Sequence, residues 1–234
     1  MSVHNKILEE ETSHDEIRAL KGGLNIDEKD NLGRSNATGE IRLGIPDFLG
    51  SMQSSDPKAS RIGAGCDFQK YNFSFSRIIY LFFNSLAMVN LRCQYTPQAL
   101  LTEEQMVVGG ADTVRGFPEN DYLADYGYIV NLEFRTPAFL IPPILKVPFD
   151  KKGKRLMDAI QFVAFLDSGA GYLHDARTGE RDHKNITGAG FGLRFDIYDH
   201  VHGLLDVGFP LSRGNSAPSD GSDCTANVAA QIEW

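Results

Sequence analysis

Residues 109–135 read GGADTVRGFPENDYLADYGYIVNLEFR and join a glycine-bounded loop to a strand. Between Tyr128 and Arg135, apolar side chains at even positions alternate with Ile129 and polar side chains at odd positions. Strict alternation of this kind places one set of side chains on each face of an extended strand. The loop before the strand carries a lone arginine, Arg115, directly before Gly116, which is an unusual place for a charged side chain.

The same alternation recurs later in the chain. It runs through ITGAGFGLRFDI (186–197), VHGLLDVGF (201–209) and CTANVAAQIEW (224–234). In the last of these, the residues at even positions from Ala226 to Trp234 are apolar, and those at odd positions are mostly polar. A period of two over such lengths is typical of strands rather than helices. The pattern therefore predicts an all-β fold arranged as an antiparallel meander.

About ten strands are predicted from this pattern and from the turn residues between them. Their ranges are 16–27, 36–46, 64–76, 85–96, 104–109, 127–138, 158–170, 187–198, 201–211 and 224–234. Most of the long connections are polar. The segment AFLIPPILKVPFDKKGKR (138–155) differs, because it is apolar and proline-rich at first and basic afterwards.

Composition narrows the classes of function. The chain has 234 residues and a formal net charge of -8, so a general nucleic-acid-binding role is not expected. Its cysteines, Cys66, Cys93 and Cys224, are far apart and suggest neither a metal site nor a disulfide framework. The N-terminus lacks the basic and apolar segments of a signal peptide, and no run of about 18 apolar residues predicts a membrane helix.

Two architectures fit an alternating all-β chain. In a soluble sandwich or small barrel the apolar face points inward, whereas in an outer-membrane barrel it points to lipid and the polar face lines the lumen. The polar faces of the predicted strands carry Arg92, Asn131, Glu133, Arg135, Gln161, Asp167, Arg194, Asp196 and Asp206. A water-filled lumen accommodates this set, and Trp234 suits an aromatic girdle at the membrane interface. A soluble β-rich binding protein explains the alternation equally well.

Two ordered motifs carry a resemblance to a known superfamily. VRGF (114–117), preceded by a Gly-Gly pair, resembles the signature loop of the bacterial outer-membrane barrels that insert or secrete polypeptides. FLDSG (165–169) resembles their second signature, an aromatic-x-Asp-x-Gly on a later strand. Within the superfamily, DYGY (125–128) and EFRTP (133–137) look most like the two-partner secretion transporters, which are the haemolysin secretion/activation proteins.

The resemblance implies a sixteen-stranded transmembrane β-barrel. Residues 1–234 would form its C-terminal part, with the signature loop at 109–127, the second motif at 165–169 and the terminal strand at 224–234. The family's signal peptide and periplasmic domains find no match in the sequence, so we expect a fragment of a transporter. The family usually has Tyr where Phe117 stands. Phe is commoner in the barrel-assembly insertases, and an insertase of the same superfamily is therefore the alternative.

The resemblance also implies a functional site. In the family the signature loop folds back into the lumen, where its arginine meets the aspartate of the second motif, and this pairs Arg115 with Asp167. The other expected members are Gly109, Gly110, Val114, Gly116 and Phe117 of the loop, and Phe165 and Gly169 of the barrel wall. In a wet lumen we expect the ion pair to contribute less than about 1 kcal/mol and to set the position of the loop.

The implied function is the secretion or activation of a large exoprotein, of haemolysin or adhesin type, through the pore of the barrel. The expected location is the bacterial outer membrane. The expected partners are the unfolded exoprotein and outer-membrane lipid, and no nucleic-acid partner is expected. No catalytic residue, cofactor or metal site is expected either. The candidate lumen-lining residues are Asn131, Glu133, Arg135, Arg194, Asp196 and Asp206, and the terminal aromatic residue is Trp234.

Overall fold

The computed structural model describes residues 2–7, 10–53, 59–61, 63–148, 153, 155–197 and 201–232. The strands are β1 (Ser2–Ile7), β2 (Glu10–Glu16), β3 (Ala19–Lys29), β4 (Gly33–Gly44), β5 (Gln69–Tyr80), β6 (Leu86–Tyr95), β7 (Met106–Val108), β8 (Tyr122–Ala124), β9 (Tyr126–Pro137), β10 (Ile160–Tyr172), β11 (His183–Ile197), β12 (Val201–Pro210) and β13 (Thr225–Ile232). Short helical turns lie at Phe82–Asn84, Thr102–Glu104, Leu156–Ala159 and Gly214–Ser216. Within the described ranges, no helix is both long and apolar enough to cross a membrane.

The strands form one large antiparallel sheet with nine members. Its order is β13-β12-β11-β10-β9-β6-β5-β4-β3, so strands that follow one another along the chain are neighbours. The exception is the pairing of β6 with β9, because β7 and β8 lie between them in sequence and form a small sheet of their own. A further hairpin of β1 and β2 precedes the large sheet. The predicted all-β, antiparallel meander is confirmed.

One predicted strand is wrong. The segment 104–109 contributes only β7, which has three residues and pairs with β8 rather than with the large sheet. It ends there because Gly109 and Gly110 adopt φ values of 109° and 117°, a conformation in which a regular strand does not continue. The hairpin of β1 and β2 is absent from the predicted set, because the sequences SVHNKI and EETSHDE lack apolar alternation.

The register of the strands sorts apolar and polar side chains onto opposite faces of the sheet. One row across β9 to β12 consists of Leu132, Leu166, Ala189 and Phe209. The adjacent row, on the other face, consists of Asn131, Asp167, Gly188 and Pro210. The face that carries Asn131 and Asp167 is called the lumenal face below.

The apolar face of the sheet is the exposed one. Leu132 and Leu166 expose 41% and 44% of their surface, Phe209 exposes 40% and Val228 exposes 75%. A soluble sandwich buries this face, whereas a membrane barrel presents it to lipid. The exposed apolar belt therefore contradicts the soluble alternative and fits the wall of a barrel.

The two ends of the sheet differ in the length of their connections. At the long-loop end the connections are 45–68, 96–125, 173–182 and 211–224. At the short-turn end they are 30–32, 81–85 and 198–200, and the longer 138–159. Outer-membrane barrels combine short periplasmic turns with longer extracellular loops, so the family resemblance predicts that the short-turn end lies on the periplasmic side.

Two apolar clusters form the core of the residues that the structure describes. The first lies among the connections of the long-loop end and consists of Ile17, Met52, Ala59, Ala64, Cys66, Phe68, Leu100 and Leu101. The second lies on the lumenal face and consists of Val108, Val114, Phe117, Ala124, Ile129 and Ile186. Ile129 belongs to the polar face by alternation, yet it is only 1% exposed, because the hairpin of β7 and β8 packs over it.

Adjacent residues of β13 test the assignment of the two faces. Val228 continues the exposed apolar belt, whereas Ala229 lies on the lumenal face. We expect Val228→Lys to lower the free energy of unfolding in lipid vesicles by about 2–4 kcal/mol, because it places a charge in hydrocarbon. The matched control, Ala229→Lys, should change it by about 0.5 kcal/mol or less. Guanidinium unfolding measures both variants, and equal losses would contradict the assignment.

Candidate functional site

Residues 109–121 of the signature loop form the tip of the β7–β8 hairpin and lie on the lumenal face. Its first turn is closed by the backbone N–H of Gly109, which donates to Thr113 Oγ1 at 2.8 Å. The backbone N–H of Gly110 donates to the carbonyl of Val114 at 3.3 Å. A side chain on Gly109 would also come within 2.5 Å of Asp121 Cβ. Positive φ and close contact together explain the glycine pair.

Glycines of the barrel wall allow the loop to approach closely. The backbone N–H of Gly116 donates to Thr225 Oγ1 at 3.0 Å, and Gly116 itself has a φ of 96°. A Cβ on Gly188 would lie 1.9 Å from the carbonyl oxygen of Arg115. A Cβ on Gly208 would lie 2.5 Å from the nitrogen of Gly116. The loop backbone therefore rests on the backbones of β11 and β12 at a distance that only glycine permits.

Apolar side chains of the loop are buried beside this contact. Val114 and Phe117 are 0% and 2% exposed and belong to the lumenal cluster. A Cβ on Gly169 of β10 would meet side-chain carbons of Val108 and Val114 at 3.0 and 3.1 Å. Gly169 therefore leaves the space that these two valines fill.

Arg115 is bound directly to Asp167 of the second motif. Its Nε donates to Asp167 Oδ2 at 2.7 Å, and its Nη2 donates to Oδ1 at 3.0 Å. Its backbone N–H also donates to Oδ2 at 3.1 Å. This is the two-point arrangement in which the planar guanidinium matches a carboxylate. The structure thus brings together the two residues that the motifs paired, although they are 52 positions apart.

Two further carboxylates and an aromatic ring surround the same guanidinium. Nη1 of Arg115 donates to Glu133 Oε2 at 2.7 Å and to Asp206 Oδ2 at 3.2 Å. The ring of Phe165 lies on its face, with 3.6 Å between the ring centroid and Cζ. Phe165 therefore adds a cation–π contact to the charge-assisted hydrogen bonds.

Two more arginines balance the charge of these carboxylates. Arg194 donates to Asp206 Oδ1 at 2.5 Å and Oδ2 at 3.0 Å, and reaches Glu133 Oε2 at 3.4 Å. Arg135 donates to Glu133 Oε1 at 2.5 Å. The resulting ion cluster consists of Arg115, Arg135, Arg194, Glu133, Asp167 and Asp206. Its formal charge is zero, because three guanidinium groups face three carboxylates.

The Arg115–Asp167 pair is buried, so the expectation of a solvated pair is wrong, whereas Arg135 and Arg194 keep 26% and 15% of their side chains exposed. Arg115 is 6% exposed and Asp167 is 0% exposed. Burial lowers the pKa of the Arg115 guanidinium, but the hydrogen bonds and charges of Asp167 and Glu133 raise that pKa by more, and the side chain stays charged. Removing one partner of a buried pair costs about 3–5 kcal/mol, since the other charge is left without compensation.

The remaining predicted site residues take different places. Asn131 supports the cluster, because its Nδ2 donates to Asp167 Oδ1 at 2.9 Å and to the carbonyl of Thr113 at 2.5 Å. Asp196 lies apart from it, with its carboxylate 3.3 Å from Nδ1 of His202 and 56% of its side chain exposed. Trp234 lies outside the described residues.

A second buried carboxylate, Asp125, was assigned no role from sequence. Arg61 donates through Nη1 to both of its oxygens, at 2.6 and 2.8 Å, and also bonds the carbonyl of His174. The backbone N–H groups of Leu100 and His174 donate to Asp125 at 3.0 and 2.7 Å, and Gln105 Nε2 donates at 3.1 Å. This Asp125 clamp ties three connections of the long-loop end to the start of β9. The sequence signal for it is the DYGY motif (125–128), which carries the family resemblance but does not show which residues Asp125 binds.

Glu104 continues this set of buried charges toward β4 and β5. It is 3% exposed and lies 2.6 Å from Lys70 Nζ and 2.7 Å from an Nη of Arg42. Gln94 links it to the clamp, since its Nε2 donates to the carbonyls of Glu104 and Asp125. In the part of the chain that the structure describes, no group of three or more His, Cys, Asp or Glu side chains is arranged to hold a metal ion.

A glycine substitution tests how the loop is seated. Gly188→Ala forces a Cβ against the Arg115 carbonyl, and overpacking of this kind costs about 1–3 kcal/mol, or about a 5–150-fold higher population of undocked loop. Trypsin cleavage after Arg115, which is buried when docked, measures that population. Gly203→Ala is the matched control, because its Cβ would meet no atom closer than 3.4 Å. Equal cleavage rates in the two variants would contradict the proposed seat.

A second substitution tests the Asp125 clamp. Asp125→Asn leaves Arg61 buried without its carboxylate, and we expect it to lower the free energy of unfolding by about 3–5 kcal/mol. Asp30→Asn is the matched control, since Asp30 pairs with Arg77 at 2.7 Å but is solvated, and it should leave the unfolding midpoint near that of the wild type. Denaturant unfolding compares the two variants. A similar small effect of both would show that the clamp adds no stability.

Comparison with known proteins agrees with the motifs. The model of the family described as haemolysin secretion/activation protein ShlB/FhaC/HecB matches residues 4–195. Among solved structures, the chain is similar to CdiB from Escherichia coli, with a TM-score of 0.72 and 22% sequence identity. The match covers 98% of this chain and 39% of that chain, so this chain spans about two fifths of its length. No curated protein matches the chain. Since the family model extends over most of the sequence, the chain belongs to the haemolysin secretion/activation protein family.

Proposed function

We propose that this chain forms the C-terminal part of a barrel that passes one large, unfolded exoprotein to the cell surface by two-partner secretion. The observation that carries the proposal is the burial of Arg115 among Asp167, Glu133 and Asp206 on the lumenal face. Proteins of this family are outer-membrane transporters of Gram-negative bacteria, so the chain is an outer-membrane protein. The family match also supports secretion over the insertase alternative that Phe117 left open.

The ion cluster acts as a latch on the signature loop. In the docked state the loop occupies the lumenal face of β9 to β12, where a translocating polypeptide would otherwise run. The cluster is formally neutral, so it adds no net charge to the lumenal face that the client would meet. Because the latch draws on four strands of the wall, the client can alter the loop position only by exchanging these contacts for its own.

The latch changes the role of the candidate lumen-lining residues. Glu133, Arg194 and Asp206 are committed to the cluster while the loop is docked. They become contacts for the client only when the loop moves, whereas Asp196, which pairs with His202, lies outside the cluster and is exposed with the loop docked. Polar contacts of moderate strength would guide a sliding chain without trapping it.

Transport in this proposal needs no bond-making chemistry. The lumenal carboxylates Asp125, Asp167 and Glu133 are each held by guanidinium donors, and they position loops instead of acting on a substrate. We therefore propose no catalytic residue, cofactor or metal. The net charge of -8 supports the absence of a nucleic-acid partner.

The test is Arg115→Ala at the chromosomal position of the gene. We expect the amount of its exoprotein at the cell surface to fall by about 150-fold or more, because loss of a buried pair worth about 3–5 kcal/mol leaves the loop without a fixed position in the path of the client. Immunoblots of surface and outer-membrane fractions measure the exoprotein and the barrel separately. Arg34→Ala is the matched control, because Arg34 pairs with Asp27 on an exposed part of the sheet.

A conservative variant keeps this experiment decisive. If Arg115→Ala does not accumulate, Arg115→Lys is measured instead. It retains the charge but loses the two-point geometry, so the amount of exoprotein at the cell surface should be reduced but not abolished. Unchanged secretion in a variant that accumulates normally would refute the latch. A loss of other outer-membrane barrels with normal exoprotein would favour the insertase instead.

A further inference from the structure

The connection 138–159 stands out at the short-turn end, because its neighbours have only a few residues. It is folded, since the backbone N–H of Leu145 donates to the carbonyl of Pro142 at 3.0 Å. That of Leu156 donates to the carbonyl of Leu145 at 2.9 Å, and Lys146 forms a bridge with Arg155. The connection therefore holds its first half, residues 138–148, in a defined conformation.

Burial in this segment is the reverse of that in a water-exposed loop. Its small residue Ala138 is 0% exposed and Val147 is 4% exposed. Its large apolar side chains point outward, and these are Phe139 (54% exposed), Leu140 (88%), Ile144 (85%) and Leu145 (47%). Such an arrangement is stable where the surroundings of the loop are apolar.

The neighbouring turn 81–85 has the same character. Phe82 and Phe83 each expose 77% of their surface and make an edge-to-face pair with ring centroids 5.5 Å apart. The two connections are adjacent, because β6 pairs with β9 and Ser85 Oγ donates to Thr136 Oγ1 at 3.0 Å. The turn patch, defined as residues 81–83, 139–140 and 144–145, is thus shared by two connections of the periplasmic side.

We propose that the turn patch is an anchor that inserts into the phospholipid leaflet on the periplasmic side of the outer membrane. It continues the exposed belt of the wall, where Phe134 and Phe162 are 44% and 38% exposed near the same end of β9 and β10. Apolar tips that extend an apolar belt are a feature of segments lying at a membrane interface.

Basic residues beside the patch indicate which lipids it contacts. Lys146 is exposed, and Arg155, which also pairs with Asp158 at 2.7 Å, has a half-exposed side chain. The sequence KVPFDKKGKR (146–155) contains five basic residues and one acidic residue. Clusters of this kind attract anionic headgroups, so the anchor favours phospholipids with a net negative charge. This inference depends on the membrane location of the sheet and not on its transport role.

Fluorescence of a tryptophan placed in the patch tests the anchor. In a Trp234→Phe background, Ile144→Trp is the single tryptophan and is excited selectively over the tyrosines, and the full chain is reconstituted in vesicles of phosphatidylcholine and phosphatidylglycerol. We expect acyl chains brominated close to the headgroup to quench it by roughly half, as for a side chain buried at the acyl boundary. Asp220→Trp, at an exposed position of the long-loop end, is the control and should be little quenched.

The lipid preference is tested in the same vesicles. Quenching of the Ile144→Trp protein should increase with the fraction of phosphatidylglycerol, and Lys146→Gln with Arg155→Gln should abolish this increase. If Ile144→Trp does not fold, Leu140→Trp reports from the same patch. An unquenched tryptophan at both positions would overturn the anchor and leave the patch as a surface for a soluble protein. Quenching that ignores phosphatidylglycerol would overturn the headgroup preference.

Discussion

The burial of one charged side chain, Arg115, constrains the rest of this fold. A guanidinium removed from water needs partners for its donors, and here Asp167, Glu133 and Asp206 supply them from three different strands. Those carboxylates can converge only if β9 to β12 keep a single register. The loop that carries Arg115 can reach them only because Gly188 and Gly208 leave its backbone room. The burial of Arg115 therefore requires the register, the glycine positions and the loop conformation that the structure shows.

The position of the protein core follows from the exposure of the sheet's apolar face. The sheet exposes its apolar face to lipid, so burial of strand side chains in protein contributes less here than in a soluble sandwich. The core instead comes from loops that fold over the lumenal face and the long-loop end. The ion cluster holds the signature loop on the lumenal face. The Asp125 clamp holds the connections of the long-loop end. In the proposed transporter, the most buried contacts would lie on the path of the client, and loop position would be coupled to transport.

Membership of the haemolysin secretion/activation protein family agrees with this arrangement, while the chain spans about two fifths of the length of CdiB. The described sheet, with β3 and β13 as its outer strands, corresponds to part of a barrel wall. This part of the wall provides the surface on which the signature loop rests and the carboxylates that bind Arg115. It also provides an apolar surface that continues beyond the strands at the short-turn end.

Alternation along the chain was enough to predict the all-β meander and the face on which Asp167 and Glu133 lie, because side-chain direction in a strand depends only on sequence parity. The motifs were enough to pair Arg115 with Asp167. Parity could not show that Glu133 and Asp206 share the same guanidinium, that Arg61 binds Asp125 from 64 positions away, or that 104–109 leaves the sheet. Sequence thus determined the nine strands of the large sheet, their faces and the family. Tertiary structure alone decided which charges meet and how deeply they are buried, since both depend on strand register and loop packing between residues far apart in the chain.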